Sequence, residues 1–418
     1  MTQSSQFAQL GALLLEAGFS ATDTREALEE VRDRVAPEHE MAFAVLPEAV
    51  FVSPIRGTQA PILRMTLASS LSTRQSAMVS RLMHRLRAGR ITLETALGSE
   101  QERIRGAVMR MPMLRWVVGN ALLAGGLAVL FRCPWWSILV AALVAALVGG
   151  VAEGLRRIRP AAAIIPFLIA LLSTVLVSES AAVLGYSTVP LFAVCAPIAI
   201  LVPGAMITNA LLELTAADVV AGASRLVYGV VQLAFMAAGI AAGSALIGLE
   251  IDQDSAILLT DVTGVISTAP AWASLPPAAF SWFGVAAVAV GISLAFGAGY
   301  RLTAVSIAAM GIAYALLFAL APFWGNVIAT GATAAVLFAL ARLIERSTLA
   351  IPATITFQPA FLLLVPGTVG LVALASFDVG SVPSAPAVFV SLCIGTKVGS
   401  IVTDTHWWRL LRLGRNEA

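Results

Sequence analysis

Two proline-glycine pairs buried in apolar surroundings are the most chemically suggestive positions of this chain. Leu201-Val202-Pro203-Gly204 recurs, at an offset of 163, as Leu364-Val365-Pro366-Gly367. Proline lacks a backbone donor and glycine accepts any backbone angle, so each pair predicts a broken or distorted membrane helix. A break at Pro203 would leave free carbonyls near Ala199 and Ile200 facing free amides after Gly204. The amide end of the second half-helix would favour a carboxylate. Thr208 and Asn209, one turn on, could bind a hydroxyl or an ammonium group, and Thr368 follows the second pair. Each pair alone also reads as a kink repaired by neighbouring helices. The matched copy favours the binding reading, because paired broken helices mark the binding site of many secondary transporters.

Ionisable residues inside apolar segments are functional candidates, since burying them is costly. Glu213 and Asp218 stand at the predicted inner end of the first broken span. Asp218 reads as an interfacial charge, and Glu213 as either that or a proton site. Lys397 lies in the last span, in Ile394-Gly395-Thr396-Lys397-Val398-Gly399-Ser400. It could snorkel along its helix, or its small neighbours could pack tightly against another helix. Asp404 falls on the same helical face seven positions on, about 10 Å away by helical rise, so the two cannot pair directly. Asn120 and Gln232 read as packing hydrogen bonds. His39, His84 and His406 are too dispersed for a metal site, and Cys133, Cys195 and Cys393 form neither a zinc spacing nor a disulfide framework. The chain has no Walker A pattern, which argues against an ATP-driven pump within it. No catalytic constellation and no cofactor motif stands out, so the chain reads as a carrier and not as an enzyme.

The elements that must hold these residues follow from composition. The 418 residues are 59% hydrophobic and 12% charged, with a mean hydropathy of +0.89, far from the roughly 25% charge of soluble domains. Residues 1–116 hold 26 of the 50 charged residues, so a polar leading region precedes a very apolar body. About 20 apolar residues cross a bilayer as a helix. Candidate spans lie at 116–131, 134–152, 161–177, 188–212 and 226–249, then at 278–299, 302–321, 323–341, 354–377 and 385–403. The start shows no signal peptide, which predicts a leading region on the cytoplasmic side. With that side inside, the inner loops carry Arg156, Arg157, Arg159, Arg225, Arg301, Arg342, Arg346, Arg409, Arg412 and Arg415, and the outer loops only Arg132. Both termini are therefore expected in the cytoplasm. The basic residues are scattered, which argues against a nucleic-acid partner.

Shifting the first five spans by 163 lands approximately on the second five. An odd number of spans per repeat inverts the second half, the arrangement many alternating-access carriers use. The expected fold is thus a polytopic α-helical membrane protein with about ten transmembrane helices in two inverted five-helix repeats. A small α+β domain over 1–110 precedes the repeats at 116–249 and 278–403. An acidic extracytoplasmic loop, 250–277, separates them, and 404–418 forms a cytoplasmic tail. In the leading domain, 7–18, 23–35, 70–89 and 93–108 have helical spacing, and Met41 to Val52 resembles strand material.

Several segments resemble the threonine/serine exporter family of bacterial amino-acid efflux carriers. They are Leu13-Leu-Leu-Glu-Ala-Gly18-Phe-Ser20, Arg87-Ala-Gly89-Arg-Ile-Thr92-Leu-Glu94-Thr-Ala96, and Pro203-Gly204 through Asn209 and Glu213-Leu-Thr215 to Gly222-Ala-Ser-Arg225. The second half adds Pro352-Ala-Thr-Ile-Thr356-Phe-Gln358-Pro359 through Pro366-Gly367. Where the family pattern has Asp, this chain has Glu213. The resemblance implies a multi-pass protein of the bacterial inner membrane that exports threonine and serine, driven by the proton-motive force. It makes Pro203, Gly204, Thr208, Asn209, Pro366, Gly367 and Thr368 candidates for substrate binding, and Glu213, Arg225, Lys397 and Asp404 candidates for coupling or gating. Its expected partners are an amino-acid substrate, protons and the lipid bilayer; a homo-oligomer stays open. Related systems that split the two halves into separate chains are associated with dicarboxylate export, so a succinate exporter is a second reading. A membrane-anchored enzyme or sensor acting through the leading domain is a third.

Overall fold

The computed structural model describes residues 2–38, 40–55, 60–66, 71–155, 164–248, 250–252, 276–348, 360, 364 and 384–403. Its leading region opens with two capped helices, α1 (Gln3–Glu16) and α2 (Ala21–Val35). Ser20 caps α2 by accepting from the Asp23 amide, so the chain turns sharply at Gly18, whose φ is +88°. The apolar run from Met41 makes two strands: β1 (Met41–Leu46) and β2 (Ala49–Pro54) pair antiparallel around Pro47 and Glu48. β3 (Ile62–Met65) adds to β2. Helix α3 (Thr73–Arg87) starts with a capping box of Ser72 and Gln75. A short helix α4 (Leu93–Thr95) then runs through a π turn into α5 (Gln101–Gly106).

One face of the sheet, with Met41, Phe43, Val50 and Val52, buries against Phe7, Leu10, Leu14 and Leu28 of α1 and α2. The opposite face carries Leu46, Phe51, Leu63 and Met65, all exposed at their outer edge. A sheet apolar on both faces is the pattern of one that has something on each side. On the second side lies the apolar helical body.

That body begins with α6 (Pro112–Leu130), α7 (Trp135–Leu155) and α8 (Ile165–Val183). After β4 (Thr188–Pro190), a bent pair follows: α9 (Leu191–Cys195), continued by a 3-10 turn to Leu201, and then α10 (Gly204–Thr215). α11 (Val219–Ile247) leads to β5 (Glu250–Asp252), which lies parallel to β4. Next come α12 (Ser281–Ala295), α13 (Tyr300–Thr348) and α14 (Ser384–Thr403). Among the described residues, five helices are long and apolar enough to cross a membrane, or six with the bent pair, as a polytopic membrane protein requires.

Three differences from the sequence reading have local causes. The 302–321 and 323–341 spans form one helical stretch of 49 residues, interrupted at Gly325, where φ is 72° and ψ 163°. With a rise of about 1.5 Å per residue, an unbroken helix of that length would far exceed a bilayer. Gly325, shortly after Pro322, supplies the turn without a loop. α11 begins at Val219, seven residues before the expected 226, because Gly222 lets it pack on α10 at once. The expected 354–377 span, apart from Ala360 and Leu364, lies outside the described residues, and so does most of the acidic loop.

Glycines set the tightest helix crossings. α6 and α12 run antiparallel, with Gly119 against Gly291 and Gly126 against Gly284. A Cβ on Gly126 would lie 2.8 Å from the Gly284 carbonyl oxygen, and one on Gly284 2.7 Å from that of Gly126. Such contact lets backbones approach as small-residue motifs do in membranes. The apolar body and the leading region bury separate hydrophobic clusters with no residue in common.

Candidate functional site

The first proline-glycine pair does break its helix. Leu191–Leu201 and Gly204–Thr215 meet at 69°. Pro203 has ψ of 49°, outside the helical range, and the Gly204 amide donates to the Val202 carbonyl at 2.7 Å. The tightening of the preceding turn into 3-10 geometry accommodates the missing proline donor. Beyond the break, the Thr208 hydroxyl donates back to the Gly204 carbonyl at 2.8 Å.

Asn209 and Glu213 follow four residues apart on one face of α10, and that face meets the leading region. The Asn209 side-chain amide donates to the Gly18 carbonyl at 3.3 Å. Glu213 is fully buried, and its Oε1 accepts from the Ala21 amide at 2.7 Å. Ala21 is the first residue of α2, so a carboxylate sits where the helix dipole is positive and amides lack helical partners. Its other oxygen lies 3.3 Å from Arg225 Nε. The Gly222-Ala-Ser-Arg225 segment explains how that cation arrives. A Cβ on Gly222 would clash 2.7 Å from Leu214 Cγ and 2.8 Å from the Ala210 carbonyl. Only a glycine lets α11 lie this close to α10, and Arg225 follows one turn later. Arg225 also donates to the Pro47 carbonyl in the β1–β2 turn at 3.5 Å.

The α10–α11 turn adds a second anchor. Ala217 takes the left-handed conformation, with φ of 64°, and presents Asp218 to α2. Asp218 pairs with Arg25 at 2.6 Å and accepts from the Thr22 hydroxyl. Asp23, in the same turn of α2, lies 3.8 Å from Arg342 near the end of α13. Glu26, one turn on, is held above the usual carboxylate range, first by burial and then by its neighbour Asp23.

Between the leading region and this hairpin is a cavity of about 830 Å³. The first turns of α10 line it with Met206, Thr208 and Asn209, and α11 with Arg225 and Tyr228. Facing them are Glu16, Glu48 and the second face of the sheet. Glu16 is paired with Arg105 at 2.7 Å, whereas Glu48 is exposed. The cavity thus has a cationic and amide-bearing wall, an acidic edge and an apolar floor, a combination suited to a small zwitterion with some apolar surface.

The structure therefore brings Thr208, Asn209, Glu213 and Arg225 together beside the break made by Pro203 and Gly204. Lys397 is not among them: it is exposed on α14, whose Gly395 and Gly399 pack on α13. Pro366, Gly367, Thr368 and Asp404 lie outside the described residues. Sequence reasoning missed the partners from the leading region, Gly18, Ala21, Arg25 and the Pro47 carbonyl. The Ser20 cap signal before Asp23 marks the start of α2, but nothing local says that a carboxylate from the distant α10 completes it.

Compared with known families, residues 6–247 match the model of the threonine/serine exporters. The match covers the leading region and the body through α11. No curated protein and no solved structure matches the chain.

Proposed function

The chain belongs to the threonine/serine exporter family, and from that premise we propose that it is a secondary exporter of threonine and serine coupled to the proton-motive force. The observation that carries this reading is the broken span whose second half opens onto the cavity. In it, Arg225 and the amide end of α10 attract the substrate carboxylate, Glu48 the ammonium group, and Thr208 and Asn209 the hydroxyl. Glu213 serves coupling or gating through Arg225.

The proposal includes about ten spans in two inverted five-helix sets, with the leading region and both termini in the cytoplasm of a bacterial cell. Reciprocal packing supports the inversion. Gly119 and Gly126 correspond to Gly284 and Gly291 at an offset of 165, and each packs on the other's counterpart, as a local two-fold demands. A second correspondence supports it too. Gly239 and Gly243 of α11 approach the carbonyls of Phe167 and Leu171 in α8, while Gly395 and Gly399 of α14 approach those of Gly331 and Ala335 in α13. The two contacted pairs are 164 apart.

Efflux from threonine-loaded cells tests the function. Expression should raise it several-fold over empty vector, and succinate efflux from loaded cells should stay at background. No rise in threonine or serine efflux, with the protein verified in the membrane, overturns the proposal. Pro203→Ala with Gly204→Ala should lower efflux at least fivefold, and Val230→Ala with Val231→Ala, exposed on α11, less than twofold. Equal effects would reduce the break to generic packing.

A further inference from the structure

We propose that the first turn of α2 is a releasable latch, holding the two five-helix sets together at their cytoplasmic end and closing the cavity from that side. The inference rests on the transport reading above and adds to it a moving part. Residues Ala21–Arg25 hold three separate anchors. Ala21 meets Glu213, and Arg25 meets Asp218, both from the α10–α11 hairpin of the first set. Asp23 meets Arg342 at the end of α13 in the second set. Alternating access moves one set against the other, so a turn bound to both cannot keep all three anchors through a cycle.

The chemistry of the contact is that of a joint that opens. The leading region and the helical body have separate apolar clusters, so no shared core welds them. Apart from the buried Ala21–Glu213 bond, what joins them is charge and hydrogen bonding at partly exposed positions: the Arg25 and Asp218 side chains are 36% and 17% exposed, and those of Arg342 and Asp23 34% and 26%. Pairs of that kind contribute little individually and exchange readily with water. Polar interfaces between parts of one chain behave like transient ones. The remaining ties are single hydrogen bonds, among them those of the Asn209 amide to the Gly18 carbonyl and of Arg225 to the Pro47 carbonyl. The Thr73 amide also donates to the Phe296 carbonyl at 2.9 Å.

The buried anchor sets the direction of closing. With α2 in place, Glu213 has an amide on one oxygen and Arg225 on the other. With α2 withdrawn, it keeps Arg225 alone, and the face carrying Asn209 opens to the cytoplasm. Substrate arriving there would meet Thr208, Asn209 and Arg225 only while the latch is away.

Everted membrane vesicles, which expose the proposed cytoplasmic face, allow a test with two readouts. In the full chain carrying Thr208→Cys, a position 6% exposed, labelling by a membrane-impermeant maleimide should be slow. Adding Arg25→Glu should speed it at least threefold, and adding Asp218→Arg as well should slow it again. Labelling unchanged by Arg25→Glu overturns the latch. The second readout uses Thr22→Cys with Asp218→Cys, bridged by a short bis-maleimide. Bridging should cut threonine accumulation by the vesicles at least fivefold; an undiminished rate in bridged protein overturns the latch. If neither the unbridged variant nor the unsubstituted chain accumulates threonine or serine, the transport reading fails, and the labelling arm alone decides the latch.

Discussion

Glu213 is the residue on which most of the site converges. It has no solvent exposure, and its two oxygens meet partners from distant parts of the chain, the Ala21 amide and Arg225. Removing one member of a buried ion pair costs about 3–5 kcal/mol, because the other is left buried without a counter-charge. Glu213→Ala should therefore sharply lower the thermal stability of the detergent-solubilised protein. Glu213→Gln should cost less, since its amide oxygen can still accept from Ala21. Combining Glu213→Ala with Arg225→Leu should recover part of the loss. Equal melting temperatures for all three variants and the parent would deny the pair a structural role. Thr208 stands differently. Its hydroxyl already donates to the Gly204 carbonyl, so engaging a ligand as a donor means exchanging one hydrogen bond for another.

Among the elements, the α10–α11 hairpin depends on one missing side chain. Gly222→Val would place carbons against Leu214 and the Ala210 carbonyl, and overpacking of this kind costs typically about 1–3 kcal/mol. The predicted result is separation of α11 from α10, with Arg225 drawn off Glu213. A maleimide should then label a cysteine placed at Asn209 faster than in the parent background; an unchanged rate would mean the hairpin absorbs the side chain. This element also shows how far the sequence can be read. The break at Pro203-Gly204 is legible because proline and glycine act on their own backbone. The strands near Met41 to Val52 are legible from their apolar run, although their hairpin turn at Pro47 and Glu48 is not. The orientation of Asn209 and Glu213 is not legible either. Sequence reasoning turns both toward substrate or protons near the membrane, but their partners, Gly18 and Ala21, are remote in the chain. Those partners are also backbone groups, which carry no side-chain signature. The helical segments on either side of Gly325 do read as two spans, but that they follow one another without a loop is not legible, since hydropathy registers a dip and not a turn angle.

At the scale of the whole molecule, two apolar clusters without a common residue imply two packing units joined by polar contacts. Hydrogen exchange should reveal them. Arg25→Glu is expected to raise exchange in α1 and α2 several-fold and to leave α8 and α11 unchanged within error. A parallel rise in all four helices would show one cooperative unit instead. The anchors of α2 also impose an order on biogenesis. During synthesis the leading region emerges and can pack its own core before any docking partner exists. Glu213, Asp218 and Arg225 arrive only with the fourth and fifth apolar elements, and Arg342 later still. The join between the two units therefore cannot begin to close before the α10–α11 hairpin exists, and its Asp23–Arg342 contact comes later. In the nascent protein, the amide end of α2 waits uncovered until more than half of the chain has been made, so a polypeptide truncated or stalled before α11 would display that uncovered surface to the machinery that removes unfinished proteins.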